Sequence, residues 1–242
     1  MIFFAALIGF AVGHLVHLLF DRFFSGEPVR GPLYECPACR SPVRPVAAIP
    51  YATVVLSGGR CPNCREKLPW RAVILPAGAA GLFALSYLAF DELAAGLLGG
   101  LFATVFLTLT LTDLERRLLP NRIVYPSILL AIAFCWAWPD TTWVQILAGG
   151  AVAIAIAVLI YLFSLLFGPE AFGMGDVKMI VLIGFVVGFP AVIVAVLLGT
   201  VAAGIVAAVL VVTRLRGLRD YVAHGPFLAL GAVLALLAQH SH

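Results

Sequence analysis

The strongest constraint on this chain is a recurring apolar run about as long as a bilayer is thick. Residues 144–168 form one such run of about 25 residues. A helix crossing the hydrocarbon core needs about 20 consecutive apolar residues. Comparable runs cover 2–20, 72–90, 93–111, 123–138 and 191–212, with shorter ones at 177–189 and 225–237. Gly188 and Pro190 bound the 177–189 run, which is either a half-span or a helix continuing, kinked, past Pro190. Only 11% of the residues are charged and 63% are hydrophobic, against about 25% charged in soluble domains. A soluble fold of this length could not hide that much apolar surface. The expected fold class is all-α: a polytopic transmembrane helix bundle of about eight spans. The run 2–20 has no basic residues ahead of it and no Ala-x-Ala-like site after it, so it reads as a retained helix rather than a cleaved signal.

The charges support the same count. All fifteen Lys and Arg fall in four places: Arg22 to Arg71, Arg116 to Arg122, Lys178, and Arg214 to Arg219. With eight spans these all lie on one face, and the opposite connections hold Asp91, Glu92 and Asp140 with no cation. The positive-inside rule puts the basic face in the cytoplasm and both termini outside. Trp138 and Trp143 flank an outer turn, as interfacial aromatics do. The expected organisation is a first helix at 1–20, a cytoplasmic loop at 21–71 and a membrane core at 72–242.

The loop is rich in Pro, Gly and Arg and too small to build a core alone, so it needs a staple. Cys36-Pro-Ala-Cys39 and Cys61-Pro-Asn-Cys64 supply one: two C-x-x-C knuckles separated by 21 residues. Four thiolates at that spacing suit one tetrahedral Zn²⁺ in a small zinc-ribbon-like loop. A closed four-thiolate site has no open position, so the metal's role is structural. Disulfides are disfavoured in a cytoplasmic loop. The fifth cysteine, Cys135, falls in an apolar run and reads as packing.

Chemistry concentrates at two aspartates. Asp113 ends one apolar run, and Asp176 sits in Gly173-Met-Gly175-Asp176-Val-Lys178 before another. Acids near membrane depth are costly and point to function. The glycines let a backbone approach closely. Two facing carboxylates share one proton, because like charges at close range do not both ionise readily. The ionised member takes a proton from water while the protonated one polarises a carbonyl, which is aspartic peptide hydrolysis. Lys178 and the partly positive helix N-terminus would depress a nearby carboxyl pKa. Glu115 is the nearest third acid and a contact for a basic substrate segment. His14 and His17 share one face of the first helix and read as hydrogen-bonded within the bundle.

Taken together, these motifs resemble the type IV prepilin peptidases, bacterial membrane aspartic proteases of the Gly-x-Gly-Asp class. The resemblance rests on the tetracysteine loop, on Thr112-Asp113-Leu-Glu-Arg-Arg-Leu-Leu-Pro120-Asn121, on Gly173 to Lys178, and on Gly225-Pro-Phe-Leu-Ala229. It implies Asp113 and Asp176 as the catalytic pair, and Gly173, Gly175, Lys178 and Glu115 are read from their positions as supporting residues. It implies prepilin or pseudopilin substrates of type IV pilus or type II secretion systems, cut just after a glycine at the cytoplasmic face of the inner membrane. The partners are thus those substrates and the bilayer, not nucleic acid. The family commonly also methylates the new N-terminus with S-adenosylmethionine. Three positions depart from its pattern: His17 stands where Asn is usual, Pro76 where Glu is usual, and His224 replaces the aromatic before Gly-Pro. These leave both aspartates intact and bear on the methyl-transfer step, which stays open. Other functions for two membrane acids are a preflagellin-like protease, or a transporter carrying protons or cations. Transporters often show internal repeats and place acids near mid-membrane, and neither feature is evident here.

Overall fold

A computed structural model describes residues 1–20, 39, 60–61, 63–67, 70–90, 92–138, 141–167, 173–214 and 223–239. Among them run eight α-helices: α1 (Ile2–Leu19), α2 (Arg71–Ala89), α3 (Leu93–Arg116), α4 (Asn121–Ala133), α5 (Trp143–Phe167), α6 (Met174–Val187), α7 (Ala191–Val212) and α8 (Gly225–Ala238). Helices are what these segments must form, since lipid offers no water to satisfy backbone N–H and C=O groups. α1, α2, α3, α5 and α7 are long and apolar enough to cross a membrane. α4, α6 and α8 have 13, 14 and 14 residues. At 1.5 Å per residue they span about 20 Å, roughly two-thirds of a hydrocarbon core.

Three local expectations shift. The run 123–138 is helical only to Ala133, and Cys135 lies in a 3₁₀ turn (Cys135–Ala137) rather than in a helix. Trp138 is the reason: it turns back into the core against Phe90 and Phe102, at ring-centroid distances of 5.5 and 6.3 Å. The 177–189 run does not continue past Pro190. α6 stops at Val187, Gly188 takes a φ of +70° and α7 starts afresh at Ala191. Without a side chain, Gly188 accepts that backbone at no steric cost. α6 also begins earlier than the apolar pattern implied, with Gly173 as its N-cap, so Asp176 sits inside the first turn rather than capping it.

Packing relies on close backbone approach, because lipid provides no hydrophobic drive between helices. α1 lies along α2 through buried Gly9 and Gly13. A Cβ added at either would come within 2.5 Å of a carbonyl oxygen, that of Ala79 or Leu75. α5 meets α6 at Gly149, where a Cβ would stand 2.5 Å from Gly184 O. α3 is the central post, touching α1, α2, α4 and α8, with Phe102, Phe106 and Leu109 fully buried. Its buried Thr104 and Thr108 hydroxyls donate one turn back, to Gly100 O (2.8 Å) and Thr104 O (2.7 Å). No polar atom of theirs is left to the lipid.

Cross-helix contacts sort the helix termini into two ends. One end gathers Phe20, Arg71, Asp113, Glu115, Asn121, Lys178 and Gly225. At the other, Phe189 N–H donates to Gln145 O (2.9 Å) and Gln239 Nε2 to Val187 O (3.0 Å). Arg71, Arg117 and Lys178 stand at the first end.

Candidate active site

α3 delivers Asp113 one turn before its end, where Arg117 closes the helix in the left-handed conformation and donates its N–H to Asp113 O (2.9 Å). The Asp113 side chain is 5% exposed. Its Oδ2 is buried, with the backbone N–H of Gly225 as its neighbouring donor. The N-terminus of α8 lies against it: a Cβ on Gly225 would stand 2.6 Å from Oδ2. Glycine at 225 is therefore demanded by the carboxylate it covers.

α6 delivers Asp176 from the opposite wall. Asp176 N–H donates to Gly173 O (3.0 Å), completing the first turn. Gly175 rests on Leu119, where an added Cβ would meet Leu119 Cδ1 at 3.0 Å. That close approach is what the glycines before the acid permit. Lys178 Nζ donates to Asn121 Oδ1 (2.9 Å) and so ties the start of α6 to the start of α4.

The two aspartates line one cavity of about 210 Å³, together with Arg117, Leu118, Leu119, Gly173, Met174, Gly175 and Lys178. Asp176 lies outside the five long spans. Burial pushes its carboxyl up to about 6, and the charge of Asp113 acts in the same direction. The expected depression by Lys178 and the helix N-terminus is outweighed, since desolvation disfavours the charged form more than those groups favour it. His224, at the N-cap of α8, is held by burial below the usual imidazole range, so it is neutral beside the site at neutral pH. The cavity thus offers two buried carboxyls, one with its pKa raised to about 6, and two cations, which is a setting for water activation.

The remaining predicted residues divide. Gly173, Gly175 and Lys178 line the cavity. Glu115 does not: its Oε2 accepts from Arg71 Nη1 at 2.6 Å, with the two side chains 15% and 11% exposed. The Arg71 guanidinium also lies over the Phe20 ring, 4.7 Å from its centroid. Glu115 therefore joins the ends of α1, α2 and α3. Sequence reasoning missed Arg71, which it counted only as the last cation of the basic loop. Its signal was its place as the first residue of an apolar run. It also missed Arg117 as a lining residue, because an arginine at a left-handed helix end carries no local signature.

Cys39, Cys61 and Cys64 bring their sulfurs within 4.8 Å of one another, and Cys36 lies outside the described residues. The Cys61 knuckle is a tight turn, with Cys61 N–H donating to Glu66 O (2.8 Å) and Arg65 N–H to Cys61 O (2.9 Å). Cys39 Sγ and Cys61 Sγ stand 3.9 Å apart. That is far beyond a disulfide bond. It matches the edge of a tetrahedron with Zn–S of about 2.3 Å, which is about 3.8 Å. The donor set fits a structural zinc.

Fold and site together define a class: a polytopic membrane protein with paired carboxylates in a cleft at the basic end of its helix bundle. Residues 100–208 match the model of the type IV leader peptidase family, and residues 7–90 match that of the bacterial peptidase A24 N-terminal domain. The chain is 30% identical over 218 residues to a prepilin leader peptidase/N-methyltransferase of Neisseria gonorrhoeae, covering 85% of this chain and 71% of that one. It is 25% identical over 206 residues to the protein of the same name in Bacillus subtilis, covering 85% and 82%. It is 26% identical over 212 residues to the one in Pseudomonas putida, covering 85% and 72%. No solved structure matches the chain. The chain belongs to the type IV leader peptidase family, and it is a membrane protease.

Proposed function

We propose that this chain is an aspartic endopeptidase of the bacterial inner membrane that removes the basic leader from type IV prepilins and pseudopilins. The observation that carries the reading is the shared cavity: Asp113 and Asp176 reach it from different helices, at the end of the bundle where Arg71, Arg117 and Lys178 lie. Positive-inside topology places that end in the cytoplasm, where a basic leader remains when the apolar helix behind it enters the bilayer.

In the resting site the two facing carboxyls share one proton, which belongs to the pair. The substrate peptide at the leader–helix junction unwinds and lies between the carboxyls. A glycine before the cut lets an extended strand fit there. The protonated carboxyl donates a hydrogen bond to the scissile carbonyl. The ionised carboxyl takes a proton from water, and the resulting hydroxide adds to the carbonyl carbon. Collapse of the tetrahedral species breaks the C–N bond, and a carboxyl returns a proton to the leaving amine.

The tetracysteine clip would hold Zn²⁺ through Cys36, Cys39, Cys61 and Cys64 and brace the loop that leads into α2. For methyl transfer, two of the three departing positions are informative. His17 and Pro76 are both buried in the α1–α2 seam. The N-methyltransferase half of the relatives' names supports methyl transfer from S-adenosylmethionine to the new N-terminus as a second activity, and these two substitutions are where it would be affected.

The test is incubation of the detergent-solubilised protein with a prepilin carrying its leader and apolar helix, with the product read by mass spectrometry. Wild type yields a cut after glycine. Asp113→Asn and Asp176→Asn, though still inserted in membranes, each lose at least about 10³-fold in rate, the scale of general acid–base catalysis. Retained cleavage in either variant overturns the reading. The same spectra report any methyl group on the new amine.

A further inference from the structure

A second cavity, of about 230 Å³, opens on the flank of the bundle between α2, α3 and α8. Its α3 wall is Ala103, Phe106, Leu107 and Thr110, one helical stripe at spacings of three and four. Continued toward the basic end, that stripe reaches Asp113. Its α8 wall is Pro226, Ala229, Leu230 and Val233, again one stripe. The helix start at the head of that stripe is Gly225, the residue that covers Asp113 Oδ2. Both walls therefore run into the same carboxylate.

The groove is apolar throughout. Its one hydroxyl, Thr110 Oγ1, donates to Phe106 O at 2.9 Å, so its proton is already used within α3. Ala103 and Ala229 form a small-residue floor, the composition that lets a helix approach closely in lipid. Leu107 forms part of the α3 wall and rests over Gly78, so close to it that a Cβ there would meet Leu107 Cδ2 at 2.6 Å. A comparable flank cavity between α1, α3 and α4 differs in carrying Arg122 and Ser127, its Thr104 and Thr108 hydroxyls being bonded within α3 as Thr110 is. That lining is less suited to an uncharged apolar helix.

We infer that the α2–α3–α8 groove seats the apolar helix of the substrate, with side chains of that helix inserted as knobs between the two stripes. The inference rests on the prepilin reading above and extends it. A scissile bond held at Asp113 has the helix that follows it leaving along a surface continuous with Asp113. This groove is such a surface, and its lack of charge matches a helix and not a leader.

Photo-crosslinking tests the placement. A benzoyl-phenylalanine at Leu230, in the Asp176→Asn protein that retains bound substrate, crosslinks the first turns of the substrate helix. The same group at Val201, on the exposed side of α7, does not. Kinetics supply the second arm. Val233→Trp fills the groove well away from the carboxyls and raises KM for the full prepilin about tenfold at unchanged kcat. It leaves untouched the cleavage of a short leader peptide lacking the apolar helix. Equal crosslinking at 230 and 201, crosslinking from Ser127 instead, or an unchanged KM in Val233→Trp overturns the inference and leaves the groove to lipid chains. Each of these outcomes is separate from cleavage by Asp→Asn variants, which tests the peptidase reading itself.

Discussion

The two helices that supply the carboxylates are held in opposite ways. α3 is 24 residues long and surrounded, with fourteen buried positions ending at Asp113 itself. α6 is 14 residues long and its buried positions, Met179 to Val187, all lie beyond Asp176. One acid is fixed by the core. The other is held at the front of a short helix by contacts around its first turns, Gly175 on Leu119 and Lys178 on Asn121. The difference teaches that a paired-carboxylate site can combine a rigid partner with one whose position rests on very few contacts. Stability should therefore be governed from the α3 side and catalytic geometry from the α6 side.

Arg71→Ala tests the α3 side and carries the largest expected effect. It removes the largely buried partner of Glu115, and leaving such a charge uncompensated costs about 3 kcal/mol. Thermal melts in detergent should drop markedly, while the protein that remains folded cleaves at near wild-type kcat, because the core still fixes Asp113. The swapped pair Arg71→Glu with Glu115→Arg should recover part of the lost Tm. A normal Tm with lost catalysis in Arg71→Ala would reverse the comparison.

Asn121→Ala tests the α6 side. It removes the acceptor for Lys178 without touching the cavity lining. Misplacement of Asp176 by a fraction of an ångström should lower kcat about tenfold, with Tm nearly unchanged. Unaltered kcat would show that Leu119 and the helix core suffice to place the acid.

The smallest effect concerns pH. The pKa of Asp176 is higher in the folded protein, about 6, than its ordinary value. Protonation of this group therefore favours the folded state. That contribution is fully present below the ordinary carboxylate range and is lost as pH rises through about 6. Asp176→Asn removes the ionisation, so its Tm relative to wild type should be higher at pH 8 than at pH 5. Equal differences at both values would mean that Asp176 is not desolvated in the folded protein.

Several of these features were legible before any coordinates. Apolar run lengths determine helices, because a segment without water must satisfy its own backbone. The four clusters of cations determine a polar end of the bundle, because charge cannot rest in hydrocarbon. Cysteine spacing determines a clip, because thiolates two residues apart face one centre. The rest required the fold. That Arg71 meets Glu115, that Gly225 covers Asp113, and that Arg117 lines the cavity are contacts between helix ends far apart in the chain, and no local pattern encodes them. The ending of α4 at Ala133 was decided by Trp138 finding Phe90 and Phe102. Two aspartates in a sequence are only two costly acids. Packing sets them across one cavity, where burial and mutual repulsion raise the pKa of Asp176 to about 6.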